Sequence, residues 1–135
     1  MLNQTIRLYE VIYVSTLAPE APLSVVAAIA RKARPANLEN NISGLLIFDG
    51  LRFCQQLEGS QKAVMALLER IRHDARHVNV GILHHGPLAE RRFSRFSLGY
   101  TSADSDEALA QLERLEGQAA VDAFAALLPT IDWNT

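Results

Sequence analysis

Two polar side chains fall in a layer that the strand pattern of this sequence predicts to be apolar. Gln55 lies on the apolar face of a predicted strand over residues 52–58, and Tyr13 lies on the corresponding face of a predicted strand over residues 8–15. A buried amide without a partner costs about 1–3 kcal/mol, and a buried hydroxyl also needs a partner. We therefore expect both side chains to be hydrogen-bonded, with a neighbouring backbone group as the alternative partner of Gln55.

Four histidines and one cysteine are further side chains that could do chemistry. His73 and His77 lie four residues apart, a spacing that can place two metal ligands on one helix face, and His84 and His85 are adjacent. Because no carboxylate-rich cluster joins them, they are better interpreted as helix-end or surface residues, and no metal site is expected. Cys54 should point to the sheet face opposite the polar pair as a buried thiol, with a redox role as the less favoured alternative.

The composition is that of one compact soluble domain of 135 residues, 49% of them hydrophobic and 21% charged. A single cysteine excludes an intramolecular disulfide. A net charge of −2 argues against direct nucleic-acid binding, and no apolar run approaches the ~20 residues of a membrane span. Residues 1–5 lack the pattern of a secretory signal, so a cytoplasmic protein is expected.

Charge is unevenly distributed along the chain. Residues 1–102 carry 12 basic and 8 acidic side chains, whereas residues 103–135 carry 1 basic and 7 acidic ones. We expect a core domain over residues 1–102 and a C-terminal helical extension over residues 103–135. The extension is interpreted as a solvated acidic surface, and the alternative is a charged surface offered to a partner.

Hydrophobic periodicity and turn residues predict the order βαββαββ followed by a helical pair. Asp49-Gly50 predicts a tight hairpin turn, Pro35 should stop the first helix, and Gly86-Pro87 should break the fourth strand. Ser60 is the expected N-cap of the second helix. The predicted strands are 8–15, 42–48, 52–58, 78–83 and 93–100, and the predicted helices are 23–34, 61–73, 105–115 and 117–128.

This order indicates an α+β fold, a ferredoxin-like open-faced sandwich with a mixed five-stranded sheet and two helices on one face. The other face would be bare. We expect the C-terminal helical pair to cover it, since the second of these helices has an apolar stripe through Val121, Phe124, Ala125 and Leu128.

Several segments together resemble a BLUF domain, the blue-light sensor module that holds an oxidised flavin. The similarity spans about residues 6–100. It is carried by YEVIYVS at 9–15, Asn37, ISGLL at 42–46, DG at 49–50, FCQQLEG at 53–59, RIRHDARH at 70–77 and ERRF at 90–93.

The resemblance implies a light-reactive tyrosine at Tyr13, a switching glutamine at Gln55 and a flavin-binding asparagine at Asn37. It implies FAD as the cofactor, with FMN or riboflavin as alternatives, and a photoreceptor that is not an enzyme. In the family, a further set of positions lines the flavin's polar edge and ribityl chain. By the resemblance, these positions correspond to Arg70, Asp74, Arg76 and His77. Ile29 and Ile71, on the two predicted helices, can supply apolar walls.

The sequence departs from the family at the last strand of the domain. Phe96 and Leu98 stand where the family usually has tryptophan and methionine, and Ala36 stands where many members have a second side chain that can bond the flavin. The light reaction should survive, but its coupling to this strand is expected to change. With no effector domain in the sequence, the expected partners are an unidentified downstream protein and a homo-oligomer.

Two other functions are compatible with the predicted architecture. One is a small ferredoxin-like enzyme of the acylphosphatase type, although such enzymes need a glycine-containing loop after the first strand, where this chain has TLAP at 16–19. The other is a light-insensitive flavin-binding protein. A flavoenzyme that transfers hydride is disfavoured, because no dinucleotide-binding glycine pattern follows the first strand.

Overall fold

A computed structural model describes residues 7–101 and 107–134, so the expected domain break at 102–103 lies outside the described residues. The elements alternate much as the sequence predicts. In chain order they are β1 (Leu8–Leu17), α1 (Ser24–Glu39), β2 (Ser43–Phe48), β3 (Arg52–Ser60), α2 (Gln61–Arg72), β4 (His77–Leu88), β5 (Phe96–Tyr100), α3 (Ala108–Leu112), α4 (Gln118–Leu127) and β6 (Asp132–Asn134).

The strands form one mixed sheet in the order β4-β1-β3-β2-β5-β6. The β2–β5 pair is parallel and every other neighbouring pair is antiparallel. The expected five-stranded sheet is therefore wrong by one strand. The sixth strand has only three residues, 132–134, and it is too short to show a period-two pattern.

Two apolar layers lie on opposite faces of the sheet. Side chains of α1 and α2, including Val26 and Leu68, pack on the face that carries Val11, Tyr13 and Phe53. Side chains of α3 and α4 pack on the other face; they are Leu109, Leu112, Ala120, Val121 and Phe124. The ferredoxin-like sandwich with a covered second face is confirmed. Within the predicted apolar stripe of α4, Ala125 is exposed and Ala120 is buried instead.

Helix α1 runs through Pro35 and ends at Glu39, so the prediction that proline stops it is wrong. Proline removes one N–H from the helix ladder. The turn after it is held by other bonds: Asn40 Nδ2 donates to the Ala36 oxygen at 2.8 Å, and the Ile42 N–H donates to the Asn37 oxygen at 2.8 Å. Asn37 therefore belongs to the last helical turn.

Strand β4 continues through Gly86 and Pro87 to Leu88. Strand β4 lies at the edge of the sheet, so its outer side has no neighbouring strand to pair with. A proline, which lacks a backbone N–H, is therefore tolerated there. Strand β5, in contrast, starts at Phe96 and not at Phe93. The reason is that the Phe93 N–H donates to the buried Glu58 carboxylate at 2.8 Å and not to a neighbouring strand.

The turns at both ends of β3 form as predicted. At the hairpin, the Asp49 carboxylate accepts the N–H groups of Leu51 and Arg52 at 2.9 and 2.6 Å. At the other end, Ser60 caps α2 by accepting the Ala63 N–H at 3.2 Å. These two turns fix where β3 begins and ends.

The C-terminal helices are shorter than predicted. Helix α3 starts at Ala108 and ends at Leu112, and residues 105–106 of the prediction lie outside the described residues. Gly117 breaks the helical run because it adopts a positive φ of 63° and donates its N–H to the Leu83 oxygen at 2.8 Å. Over residues 7–101 and 107–134, no helix has the length and apolar character needed to cross a bilayer.

Candidate functional site

Tyr13 and Gln55 are paired at the centre of the sheet. They lie directly opposite each other on β1 and β3, and the Tyr13 hydroxyl donates to Gln55 Oε1. Both side chains are buried, so the predicted hydrogen bonding of the two is confirmed. Burial raises the pKa of the Tyr13 phenol well above its ordinary value, which keeps the phenol protonated.

A cavity of about 290 Å³ lies beside Gln55, between α1 and α2. Nine residues proposed from sequence line it, together with Ala36, the position noted above as a departure from the family, and three others. The nine are Ile29, Asn37, Gln55, Arg70, Ile71, Asp74, Arg76, His77 and Phe96; the three are Lys32, Ala33 and Leu67. Tyr13 lies behind Gln55 and does not line the cavity.

Helical spacing explains the residues that sequence reasoning missed. On α1, residues 29, 32, 33 and 36 share one face, and on α2, residues 67, 70 and 71 do so. Extending the face of Ile29 and Ile71 by three and four residues would therefore have found these positions.

Asn37 is the cavity residue with an unmet polar group. It is 3% exposed, and its side-chain nitrogen has no partner in the described part of the chain. Leaving such a donor unpaired costs about 1–3 kcal/mol. A ligand carbonyl in the cavity would satisfy it.

One end of the cavity is charged. Arg76 forms a forked pair with Asp74, with Nε and Nη2 at 2.6–3.2 Å from the carboxylate oxygens. The side-chain hydrogen bond from Arg76 lowers the pKa of Asp74 to about 2. Arg70 also lines this end and is exposed. The opposite charges of Asp74 and Arg76 hold each other in place in the cavity lining.

His77 is buried at the start of β4, so its interpretation as a helix-end or surface histidine is wrong. Its Nδ1 lies 3.0 Å from Ser15 Oγ, and its ring packs 4.7 Å from the Phe53 ring between centroids. Burial lowers the pKa of His77 below 6.5, with Arg76 acting in the same direction and Asp74 opposing it. The neutral ring is favoured at neutral pH.

The two departures on β5 occupy different places. Phe96 lines the cavity, whereas Leu98 is buried in the core and does not. Leu46 on β2 stands in register with Gln55 on one side and Leu98 on the other. Cys54 faces the opposite layer as predicted, and burial raises the pKa of its thiol.

The residues that line the cavity fit the polarity of an oxidised flavin ring. The aliphatic side chains of Ile29 and Ile71 lie on the two helices that flank the cavity, and the amides of Asn37 and Gln55 line it as well. Because Gln55 Oε1 accepts from Tyr13, its amide nitrogen is the group left to donate. The unpaired Asn37 amide is the observation on which the fit depends.

Comparisons with known proteins give the same result. The BLUF family, described as sensors of blue-light using FAD, matches residues 8–99. The beta subunit of the photoactivated adenylate cyclase of Euglena gracilis is 40% identical over 92 residues, 67% of this chain and 10% of that protein. The photo-activated state of BlsA superposes with a TM-score of 0.78 and 26% identity over 90% of this chain and 94% of BlsA. The dark state of BlrB, a BLUF protein, gives 0.74 and 30% over 90% and 95%.

The chain spans about a tenth of the length of the cyclase subunit. The family match over residues 8–99 includes every residue that lines the cavity. A BLUF domain is a flavin-binding photoreceptor and not an enzyme. Since the match covers the strands and helices that form the Tyr13–Gln55 pair and the cavity, the chain belongs to the BLUF family of blue-light sensors.

Proposed function

We propose that this chain binds FAD in the cavity between α1 and α2 and senses blue light through Tyr13 and Gln55. The observation that carries the proposal is the Tyr13–Gln55 hydrogen bond beside a cavity into which Asn37 presents an unpaired amide. FMN or riboflavin would use the same ring contacts. Asn37 and Gln55 would hold the ring edge, with apolar contacts from Ile29 and Ile71.

The charged end of the cavity would hold the polar side chain of the flavin. Arg70 and the Asp74–Arg76 pair lie there, and His77 closes the buried side. Because Arg76 is already paired, it is positioned before a ligand arrives, which lowers the entropy lost on binding.

A bound oxidised flavin supplies an electron acceptor that blue light excites. Tyr13 would be the electron donor to the bound flavin, and a phenol that has lost an electron is strongly acidic. Its proton would then move along the existing hydrogen bond to Gln55 Oε1. The Gln55 amide is suited to this position because it can both donate and accept.

The Gln55 amide would stay rearranged after the charges recombine. Rotation or tautomerisation of its amide exchanges a donor for an acceptor at the flavin edge. Both changes leave Tyr13 hydrogen-bonded and the apolar walls in place. The spectrum therefore shifts without loss of the cofactor.

The signal is proposed to leave through β5 and to reach a downstream protein or a second copy of the chain. Phe96 contacts the cavity directly, and Leu98 is reached from Gln55 across Leu46. A cytoplasmic location fits the single, buried, unpaired cysteine, Cys54.

Absorption spectra before and after blue light test the proposal. The protein should copurify with one non-covalent oxidised flavin per chain and show a small, reversible red shift. Tyr13→Phe and Gln55→Leu should each abolish the shift while the flavin stays bound. Tyr9→Phe is the matched control, because Tyr9 lies on the same strand and bonds His85 outside the cavity.

Other outcomes separate the alternatives. A colourless protein that takes up no flavin on reconstitution would contradict the whole proposal. Bound flavin without a light-induced shift would indicate a light-insensitive flavin-binding protein. A normal shift in Gln55→Leu would show that Gln55 is not the switching residue.

A further inference from the structure

Ser15 is a buried polar residue that the proposed photochemistry does not use. It is 0% exposed on β1, and its side chain lies on the same face of the sheet as that of Tyr13. Its hydroxyl oxygen lies 3.0 Å from Nδ1 of His77, a residue that lines the cavity between α1 and α2. Ser15 itself does not line the cavity. Any effect of Ser15 on a ligand there must therefore pass through the His77 ring.

The His77 ring is fixed by packing as well as by this hydrogen bond. Its centroid lies 4.7 Å from that of the Phe53 ring and 6.4 Å from that of the Tyr13 ring, and the planes of the His77 and Tyr13 rings meet at 70°. The His77 backbone N–H donates to the Asp74 oxygen at 3.0 Å. Because Nδ1 is occupied by Ser15, Nε2 is the ring nitrogen left to meet a ligand in the cavity.

The direction of the Ser15–His77 hydrogen bond decides where the ring carries its proton. A neutral imidazole has one nitrogen that donates and one that accepts. If Nδ1 donated, the Ser15 hydroxyl proton would be buried without an acceptor in the described part of the chain, which is unfavourable. If the hydroxyl donates to Nδ1, the proton of the ring lies on Nε2, where a ligand in the cavity can accept it. The second arrangement leaves no donor stranded in the core.

A proton on Nε2 joins two other donors of the cavity lining. The Asn37 side-chain nitrogen is unpaired, and Gln55 is left with its amide nitrogen because its Oε1 accepts from Tyr13. The carbonyl oxygens and unprotonated ring nitrogens of an oxidised flavin are acceptors, and so are the hydroxyl oxygens of its side chain. The opposite tautomer of His77 would present a lone pair to these groups and repel them.

We propose that Ser15 is a positioning residue for the cofactor. By donating to Nδ1, Ser15 holds His77 as the tautomer protonated on Nε2, so that His77 donates a hydrogen bond to an acceptor atom of the bound flavin. The inference rests on flavin binding in the proposed function and adds a residue that does not touch the flavin. It also places the control of one flavin contact on β1, the strand that carries Tyr13.

Nitrogen NMR of the isotope-labelled, flavin-loaded full chain in the dark reads the tautomer directly. At about pH 8 the ring is neutral, because burial lowers the pKa of His77. The His77 signals are those missing in His77→Gln. We expect a protonated Nε2 and an unprotonated Nδ1 whose signal is shifted by a hydrogen bond, and Ser15→Ala should abolish that shift. A protonated Nδ1 in the wild type, or an unchanged Nδ1 signal in Ser15→Ala, would overturn the proposal.

The affinity for FAD measures the consequence for binding. Ser15→Ala should raise the dissociation constant by roughly two- to tenfold, the effect of one hydrogen bond, whereas Ser15→Thr keeps the hydroxyl and should restore binding. Ser97→Ala is the matched control, because Ser97 is buried on β5 and does not line the cavity. It should change neither the His77 signals nor the dissociation constant. Equal affinities of Ser15→Ala and the wild type would contradict the positioning role.

The same measurements separate this inference from the proposed function. A chain that binds no flavin would contradict both. Bound flavin with a normal red shift, together with a protonated Nδ1, would contradict the role of Ser15 alone.

Discussion

His77 is a neutral, buried imidazole at the wall of the flavin cavity. It has one polar neighbour in the core, Ser15, and its two charged neighbours, Asp74 and Arg76, act on its pKa in opposite directions. Burial dominates and lowers the pKa. Protonating this ring would place a positive charge in a buried position at the cavity wall.

We expect acid to destabilise the fold through His77. A folded-state pKa below the unfolded value of 6.5 means that this stabilising contribution is complete above pH 6.5 and is lost as the pH falls through the folded pKa. Urea unfolding between about pH 8 and about pH 5 should show the loss. His77→Gln should flatten the dependence of the unfolding free energy on pH over this range. An unchanged slope in the variant would show that His77 is not the group responsible.

Leu98→Met tests whether the departure on β5 alters signal output. The change nearly conserves volume, so it should cost less than about 1.5 kcal/mol. We expect a normal red shift, since Tyr13 and Gln55 are untouched, but an altered dark-recovery rate and a larger light-minus-dark amide signal in the infrared. Leu17→Met, a buried change at the far end of β1, is the control. If both quantities match the wild type, Leu98 has no part in the coupling.

At the scale of the elements, β2 and β3 approach so closely at Gly44 that a side chain cannot fit. Gly44 has a φ of 148°, and a Cβ there would lie 1.9 Å from the Gln56 backbone oxygen. Gly44→Ala should lower the free energy of unfolding by about 2–4 kcal/mol.

Gly81→Ala is the matched control, because Gly81 also lies in a strand but a Cβ added there would meet no atom within 4 Å beyond its chain neighbours. It should change stability by no more than about 0.5 kcal/mol. Urea denaturation of the two variants compares them directly. Equal stability would mean that the β2–β3 pair can relax around the added carbon.

Element types were predictable from sequence where the signal was local. Strand alternation placed Tyr13 and Gln55 on the same face, because it depends on the pleat and not on the rest of the fold. The continuation of α1 through Pro35 was not predictable in this way, since the turn after it depends on bonds from Asn40 and Ile42. The start of β5 likewise depends on Glu58, more than thirty residues away.

At the scale of the whole molecule, one sheet separates the photochemical layer from the C-terminal helices. Adjacent residues of β3 serve both layers: Gln55 contacts the cavity, and Cys54 contacts the apolar cluster under α3 and α4. Sequence could predict that a cover was needed, because a bare apolar face is unfavourable. It could not predict the added strand β6, because three residues are too few to show a strand period and the pairing with β5 is a long-range contact.

We expect illumination to change hydrogen exchange in the C-terminal helices. A rearranged Gln55 alters the strand on which they pack, and local opening of short helices needs little free energy. Exchange measured in light and dark should differ across residues 107–130, with Tyr13→Phe as the dark-locked control. Identical protection in both states would mean that the signal leaves through another part of the molecule.

Trp133 is the only tryptophan in the chain and lies on β6. It pairs with Gly99 of β5, packs 6.4 Å from the Phe93 ring between centroids, and is 46% exposed. Its fluorescence is therefore a built-in optical probe of the edge strand. Detachment of β6 would move the emission to longer wavelength, and energy transfer from the indole to a bound flavin would report the distance between the two, without any added label.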